Sequence, residues 1–84
     1  MTLFRVIMAV GYVLINVEPG MEKEAYEAVK DLDHVSDATV LFGDHDLIIK
    51  LTADDLAQIA KAVVETIRQI PGVTATKTLA GAVL

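Results

Sequence analysis

The chain contains no cysteine, so it can form neither disulfides nor thiolate metal sites, and it has no thiol nucleophile. Its 84 residues predict one domain, 1–84, with a modest core, because so short a chain buries a small fraction of its surface. Without disulfides or thiolate-bound metal, oligomerisation is the remaining common way to stabilise such a domain.

Basic residues are few and scattered: 7 Lys and Arg stand against 12 Asp and Glu, which gives a formal net charge of -5. Phosphate binding needs clustered Lys and Arg, so we predict no direct nucleic-acid binding. The N-terminal apolar run, 6–15, is too short to span a bilayer and has no signal-peptide cleavage pattern. Together with the lack of cysteine, these absences predict a cytoplasmic protein without a membrane segment.

Hydrophobic residues are abundant, at 54% of the chain and a mean hydropathy of +0.50. A small soluble domain has too little interior to hide so much apolar surface. Part of it should therefore be buried against another subunit.

Apolar periodicity and turn residues predict the element order βαββαβ. Helix one should bury Met21, Ala25, Ala28, Val29 and Leu32, and helix two should bury Leu56, Ile59, Ala60, Val63, Ile67 and Ile70. Thr52 or Asp54 can cap helix two, which should stop at Pro71-Gly72. The predicted elements are strand 10–17, helix 21–32, strands 38–42 and 47–51, helix 56–70 and strand 73–79.

An internal similarity supports this order, because residues 29–43 align without gaps on residues 67–81. Two such βαβ halves build an α+β, ferredoxin-like βαββαβ sandwich, in which two helices cover one face of a four-stranded antiparallel sheet. Tyr12, Leu14 and Ile48 make the uncovered face apolar as well. We therefore predict a homodimer with sheets packed face to face, resembling a dimeric α/β barrel.

The concentrated polar cluster is Gly43–Asp46, between strands two and three, which is open to four interpretations: a metal site, a catalytic site, a ligand loop or a turn. His34, the other histidine, lies in a different turn, so too few metal ligands converge. No Ser, Thr or Lys nucleophile stands beside the acids in a recognised motif. Turn chemistry alone explains Gly and Asp there. Thr74, Thr76 and Thr78 alternate along the last strand, which indicates either strand propensity or a row of hydroxyls for a polar ligand.

Three motifs carry a resemblance to a known family: "VEPG" before helix one, "GDHDLIIKL" at the hairpin and "IRQIPGVTATKT" before and along the last strand. Through them, residues 11–78 resemble the effector-binding (RAM) domain of the Lrp/AsnC family of transcription regulators, whose Gly-Asp-Tyr-Asp and apolar strand are matched by "GDHDLIIKL". His45 stands where the family commonly has Tyr. The resemblance implies a non-enzymatic domain that needs no cofactor and binds an amino acid or related effector in clefts between dimers. The implied ligand contacts are Gly43, Asp44, His45, Asp46, Thr76 and Thr78.

The resemblance also implies dimers that assemble into octamers or decamers. The family's helix-turn-helix is not found in this sequence, so we expect a stand-alone module that can modulate full-length regulators. Residues 1–8 are expected to be an N-terminal extension, since Met8 offers a second start. Two alternatives stay open: a dimeric ferredoxin-like enzyme of the monooxygenase or muconolactone-isomerase type, which needs a polar pocket, and a structural oligomer without a ligand.

Overall fold

The computed structural model describes residues 8–81, so the expected N-terminal extension and its choice of start lie outside the described residues except for Met8. Four strands and two helices follow one another in the predicted order. They are β1 (Ala9–Val17), α1 (Glu22–Lys30), β2 (Val35–Val40), β3 (Leu47–Ala53), α2 (Leu56–Glu65), a 3₁₀ turn (Ile67–Gln69) and β4 (Val73–Ala80). No helix among the described residues is long and apolar enough to cross a membrane.

The four strands form one antiparallel sheet in the order β2-β3-β1-β4. β1 is central and pairs with β3 on one side and with β4 on the other. Each βαβ half is split, because the first strand of one half lies between the two strands of the other, and this interleaved order is that of the ferredoxin-like sandwich. The predicted α+β fold is confirmed.

Strand alternation separates the two faces of the sheet, because successive side chains of a strand point to opposite faces. Every second residue of β1 and β3 is buried against the helices, whereas Tyr12, Leu14 and Ile48 on the other face stay partly exposed. The core consists of Val13, Ile15, Val17, Ala25, Val29, Leu47, Ile49, Leu51, Ala53, Ile59, Val63 and Ile67.

The helices differ from the predicted ones in their bounds and faces. Asp55, not Thr52 or Asp54, caps α2: its carboxylate accepts the Gln58 backbone N–H at 2.9 Å, while Thr52 still belongs to β3. α2 ends at Glu65, and the predicted last turn is instead the 3₁₀ turn that buries Ile67. Three residues expected on the inner faces are exposed: Ala28, Leu56 and Ala60.

Strand two lies earlier than predicted, at Val35–Val40 rather than 38–42. Its pairing with β3 runs from Val35 opposite Leu51 to Val40 opposite Leu47. Leu41 then starts the connecting loop and Phe42 is fully exposed. The predicted bounds of strand two were wrong because Phe42, an exposed hydrophobic residue in the loop, fitted the strand pattern. β propensity describes how well a residue fits a half-buried sheet, not whether the residue lies in one.

Candidate functional site

The loop 41–46 between β2 and β3 rests against the C-terminal end of β1. The Leu41 N–H donates to the Asp46 carbonyl at 2.8 Å and closes the loop, and the Asp46 N–H donates to the Ile15 carbonyl at 3.0 Å. Gly43 has a φ of 119°, a conformation that a side chain would strain. The loop is therefore shaped by its own turn chemistry and held in place by β1.

Asp46 joins the loop to β1 through its side chain. Its Oδ2 accepts the Val17 N–H at 2.8 Å in a half-buried position. The last β1–β3 pair is Ile15 with Leu47, so the Val17 N–H lies beyond the end of the ladder and has no strand partner there. The carboxylate supplies the missing acceptor, and a buried N–H needs one. Within the chain, Asp46 therefore has a structural role.

Asn16 is the second link between β1 and the loop, and sequence reasoning did not single it out. Its Nδ2 donates to the Asp44 carbonyl at 2.9 Å, and its Oδ1 lies 2.8 Å from Nδ1 of His45. The available signal was the one amide in an otherwise apolar strand, since Asn is depleted in strands. Its partners, 28 and 29 residues away, could not be read from local pattern.

Two polar groups of the loop remain available for a ligand. Asp44 is exposed, and its carboxylate forms no hydrogen bond or salt bridge within residues 8–81. His45 is half-buried with one ring nitrogen engaged. Over the same residues, no three His, Asp or Glu side chains lie close enough to hold a metal ion. The arrangement offers a carboxylate and an imidazole edge at the tip of a fixed loop.

Thr76 and Thr78 lie on the other face of the sheet. They pair with Ile15 and Val13, which are buried beneath the helices, whereas Asn16 alternates with those residues and faces the open side. Together with α2, the two threonines line a groove of about 390 Å³ whose other walls include Leu56 and Val64. Within one chain, the structure thus brings Asp44, His45 and Asp46 together with Asn16 but separates them from the threonines.

The three-threonine row is interrupted at its start. Thr74 falls between the register pairs Val17–Val73 and Asn16–Ala75, where the ladder is irregular, and its hydroxyl donates to the Asn16 carbonyl at 3.2 Å. The hydroxyl of Thr74 is thus already engaged.

His34 lies in the α1–β2 turn, at the opposite end of β2 from the loop 41–46. It adopts a φ of 74°, and its carbonyl accepts the Thr52 N–H at 2.8 Å. Its side chain borders a cavity of about 290 Å³ together with Asp33, Thr66 and mainly apolar residues. No hydrogen bond joins these side chains in the described part of the chain, so no base is in contact with a nucleophile there.

Solved structures share this fold. A hypothetical protein from Pyrococcus horikoshii superposes with a TM-score of 0.82 at 28% identity, over 90% of this chain and 92% of that one. A transcriptional regulator of Neisseria meningitidis, solved as a complex with L-methionine, gives a TM-score of 0.80 over 98% of this chain and 57% of that one. Its identity is 14%, so this second likeness shows the fold alone.

Sequence comparison identifies the family. An uncharacterized HTH-type transcriptional regulator of Pyrococcus abyssi is 26% identical over 69 residues, which are 82% of this chain and 44% of that protein. The chain thus spans about half the length of the curated relatives it matches. A family model, "Lrp/AsnC ligand binding domain", matches residues 10–80, almost all of the described fold. As the motifs around the hairpin indicated, the chain belongs to the Lrp/AsnC ligand-binding domain family.

Proposed function

We propose that this Lrp/AsnC ligand-binding domain, residues 1–84, is a non-enzymatic sensing and assembly module that binds an amino acid at the loop Gly43–Asp46. The observation that carries the proposal is the division of roles in the loop. Asn16 and Asp46 fix it to β1, while the Asp44 carboxylate and one edge of the His45 ring have no partner among residues 8–81. The Asp44 carboxylate can accept hydrogen bonds from the ammonium group of the ligand, and backbone N–H groups beside Gly43 can donate to the ligand's carboxylate.

Assembly belongs to the same proposal. Gly43 and Asp44 are exposed, so a ligand held there needs a second wall, which a neighbouring dimer would supply. The open sheet face carries Tyr12, Leu14 and Ile48, and its burial in a face-to-face dimer would remove apolar surface from water. Dimers would then associate into octamers or decamers. Mixed assembly with full-length Lrp/AsnC regulators would modulate the activity of those regulators.

Thr76 and Thr78 enter this proposal as contacts from a neighbouring subunit. Within one chain they lie on the helix side of the sheet, away from the loop. Their hydroxyls can donate to or accept from a polar ligand. A cleft between dimers is the arrangement in which both sets of residues could touch one ligand.

An enzymatic role has weaker support. A pocket containing His34 is present, but the side chains around it form no hydrogen-bonded acid–base pair among the described residues. The relatives are transcriptional regulators, and the matched domain is a ligand-binding one. We therefore propose no reaction and no cofactor for this domain.

Calorimetric titration with the twenty amino acids tests the effector proposal. L-Methionine is the first probe, since the Neisseria relative was solved with it. Asp44→Asn keeps the shape of the side chain and removes its charge, so we expect affinity to fall about tenfold or more, as for a lost charge-assisted hydrogen bond. The matched control is Glu24→Gln, on the exposed surface of α1.

Thr76→Val, titrated in the same way, is expected to weaken binding severalfold if the neighbouring subunit completes the site. An unchanged affinity would remove Thr76 from it. If no amino acid gives heat with the wild type, the effector role is wrong, whereas the assembly proposal is tested separately by the molecular mass from light scattering.

A further inference from the structure

We infer that Asn16 is the positioning residue of the loop: it holds His45 as the Nδ1–H tautomer, so that the free Nε2 is a hydrogen-bond acceptor. This inference rests on the proposed function, because it specifies which ligand group the loop recognises. In this role Asn16 does not contact the ligand. It acts through its hydrogen bonds to the ring of His45 and to the main-chain carbonyl of Asp44.

The orientation of the Asn16 amide follows from its two partners. The Asp44 carbonyl, 2.9 Å away, can only accept, so the amide nitrogen must face it. A flipped amide would bring two oxygens together at that distance, without a proton between them. The Asn16 oxygen is therefore the atom that faces His45, at 2.8 Å from Nδ1.

That orientation determines where the proton of the neutral imidazole lies. The Asn16 oxygen has no proton to donate, so Nδ1 of His45 must carry one. A neutral imidazole has one N–H, which leaves Nε2 with a lone pair. Nε2 has no hydrogen-bond partner in the described chain. Every side-chain nitrogen or oxygen that is fully buried in the described residues does have a partner, so the unpaired Nε2 is not fully buried. The acceptor therefore reaches the surface.

The loop's own free side-chain groups are thus two acceptors, the Asp44 carboxylate and Nε2 of neutral His45, and residues 41–46 contain no side-chain donor besides the engaged Nδ1 of His45. A tyrosine at this position would differ, because its hydroxyl can both donate and accept. With His45 held in this tautomer, the loop selects a ligand group that donates several hydrogen bonds and carries positive charge, and the group of this kind that every amino acid with a free amino terminus carries is an ammonium.

Long-range proton–nitrogen NMR of the ¹⁵N-labelled full chain, at a pH where the imidazoles are neutral, tests the positioning role. In the wild type we expect the protonated-type nitrogen signal at Nδ1 of His45 and the unprotonated type at Nε2. Asn16→Ala should release the ring to populate both tautomers. His34, whose ring forms no hydrogen bond in the described chain, serves as the internal reference in both proteins.

A dominant Nε2–H tautomer in the wild type would overturn the inference, and so would a tautomer that Asn16→Ala leaves unchanged. The wild-type spectrum decides even if Asn16→Ala fails to fold. A purely structural Asn16 would alter stability without altering which nitrogen of His45 is protonated.

The ligand class is tested with L-methionine, N-acetyl-L-methionine and L-methioninamide, and then with each amino acid that binds in the calorimetric panel. We expect N-acetylation to weaken binding more than tenfold and amidation of the carboxylate to weaken it less. Equal binding of the acetylated form would overturn the ammonium assignment. A silent panel would overturn the proposed function and the ligand class together, while the tautomer measurement would still decide the role of Asn16.

Discussion

At the residue scale, the two carboxylates of the loop have different surroundings and should differ in their effect on stability. Asp46→Ala leaves the Val17 N–H without an acceptor, and we expect the free energy of unfolding to fall by about 1–3 kcal/mol. Asp44→Ala removes an exposed side chain without a partner in the described chain, so its effect should stay within about 0.5 kcal/mol.

Urea unfolding of both variants at one protein concentration measures this difference, since any oligomer makes stability depend on concentration. The two substitutions serve as controls for each other, because each removes one acid from the same loop. Equal losses would show that Asp46 does not join the loop to β1. The same experiment separates a structural acid from one that is available to a ligand.

At the element scale, the contact of α2 with β1 depends on the absence of a side chain at Gly11. A Cβ there would lie 2.9 Å from Cγ2 of Ile59, a branched side chain with little freedom at χ1 in a helix. Overpacking costs about 1–3 kcal/mol, and Ala recovers about 0.5–1 kcal/mol relative to Gly in a strand. We expect Gly11→Ala to destabilise the fold by about 1 kcal/mol, measured by urea unfolding.

Ile59→Leu is the matched partner for that test, because Leu keeps the volume of Ile but carries no methyl at the Cγ2 position. The double variant Gly11→Ala/Ile59→Leu should lose less stability than the sum of the single variants. Additive losses would mean that α2 moves away as a body and that the contact between Gly11 and Ile59 does not limit its approach.

At the scale of the whole molecule, two apolar surfaces compete as the assembly surface. The open sheet face carries Leu14, next to Ile48 on the neighbouring strand, and the helix layer exposes Val64 at 51%. If the sheets pack face to face, Leu14→Lys should lower the mass measured by light scattering towards the monomer, because an unpaired charge would be buried in the interface. Val64→Lys should leave the face-to-face dimer intact, because Val64 lies on the helix side of the sheet, although it can weaken the association of dimers through the groove of Thr76 and Thr78.

The opposite result, dissociation to the monomer by Val64→Lys alone, would place the dimer interface on the helices and contradict the face-to-face dimer. Circular dichroism of both variants checks that the chain still folds. Repeating the mass measurement with L-methionine tests whether ligand and assembly are coupled, as the proposed site between dimers requires.

Much of this protein follows from its sequence alone. The order of elements, the two faces of β1 and β3 and the turn at Gly43 were predictable, because each depends on residues close together in the chain. The family followed from motifs for the same reason. Where an exposed apolar residue imitated the local pattern, as Phe42 and Leu56 did, the predicted boundary or face was wrong.

Only the tertiary structure decided which residues of the loop hold it in place and which are available to a ligand. Asp44 and Asp46 are equivalent in sequence, but Asp46 meets the Val17 N–H and Asp44 does not, because of where β1 ends relative to β3. Asn16 meets His45 across 29 residues, a distance over which periodicity carries no information. The sheet register also sends Thr76 to the face opposite Asn16. Loop chemistry is thus a property of local sequence, whereas the hydrogen bonds and exposure of its side chains depend on which strand lies beside it.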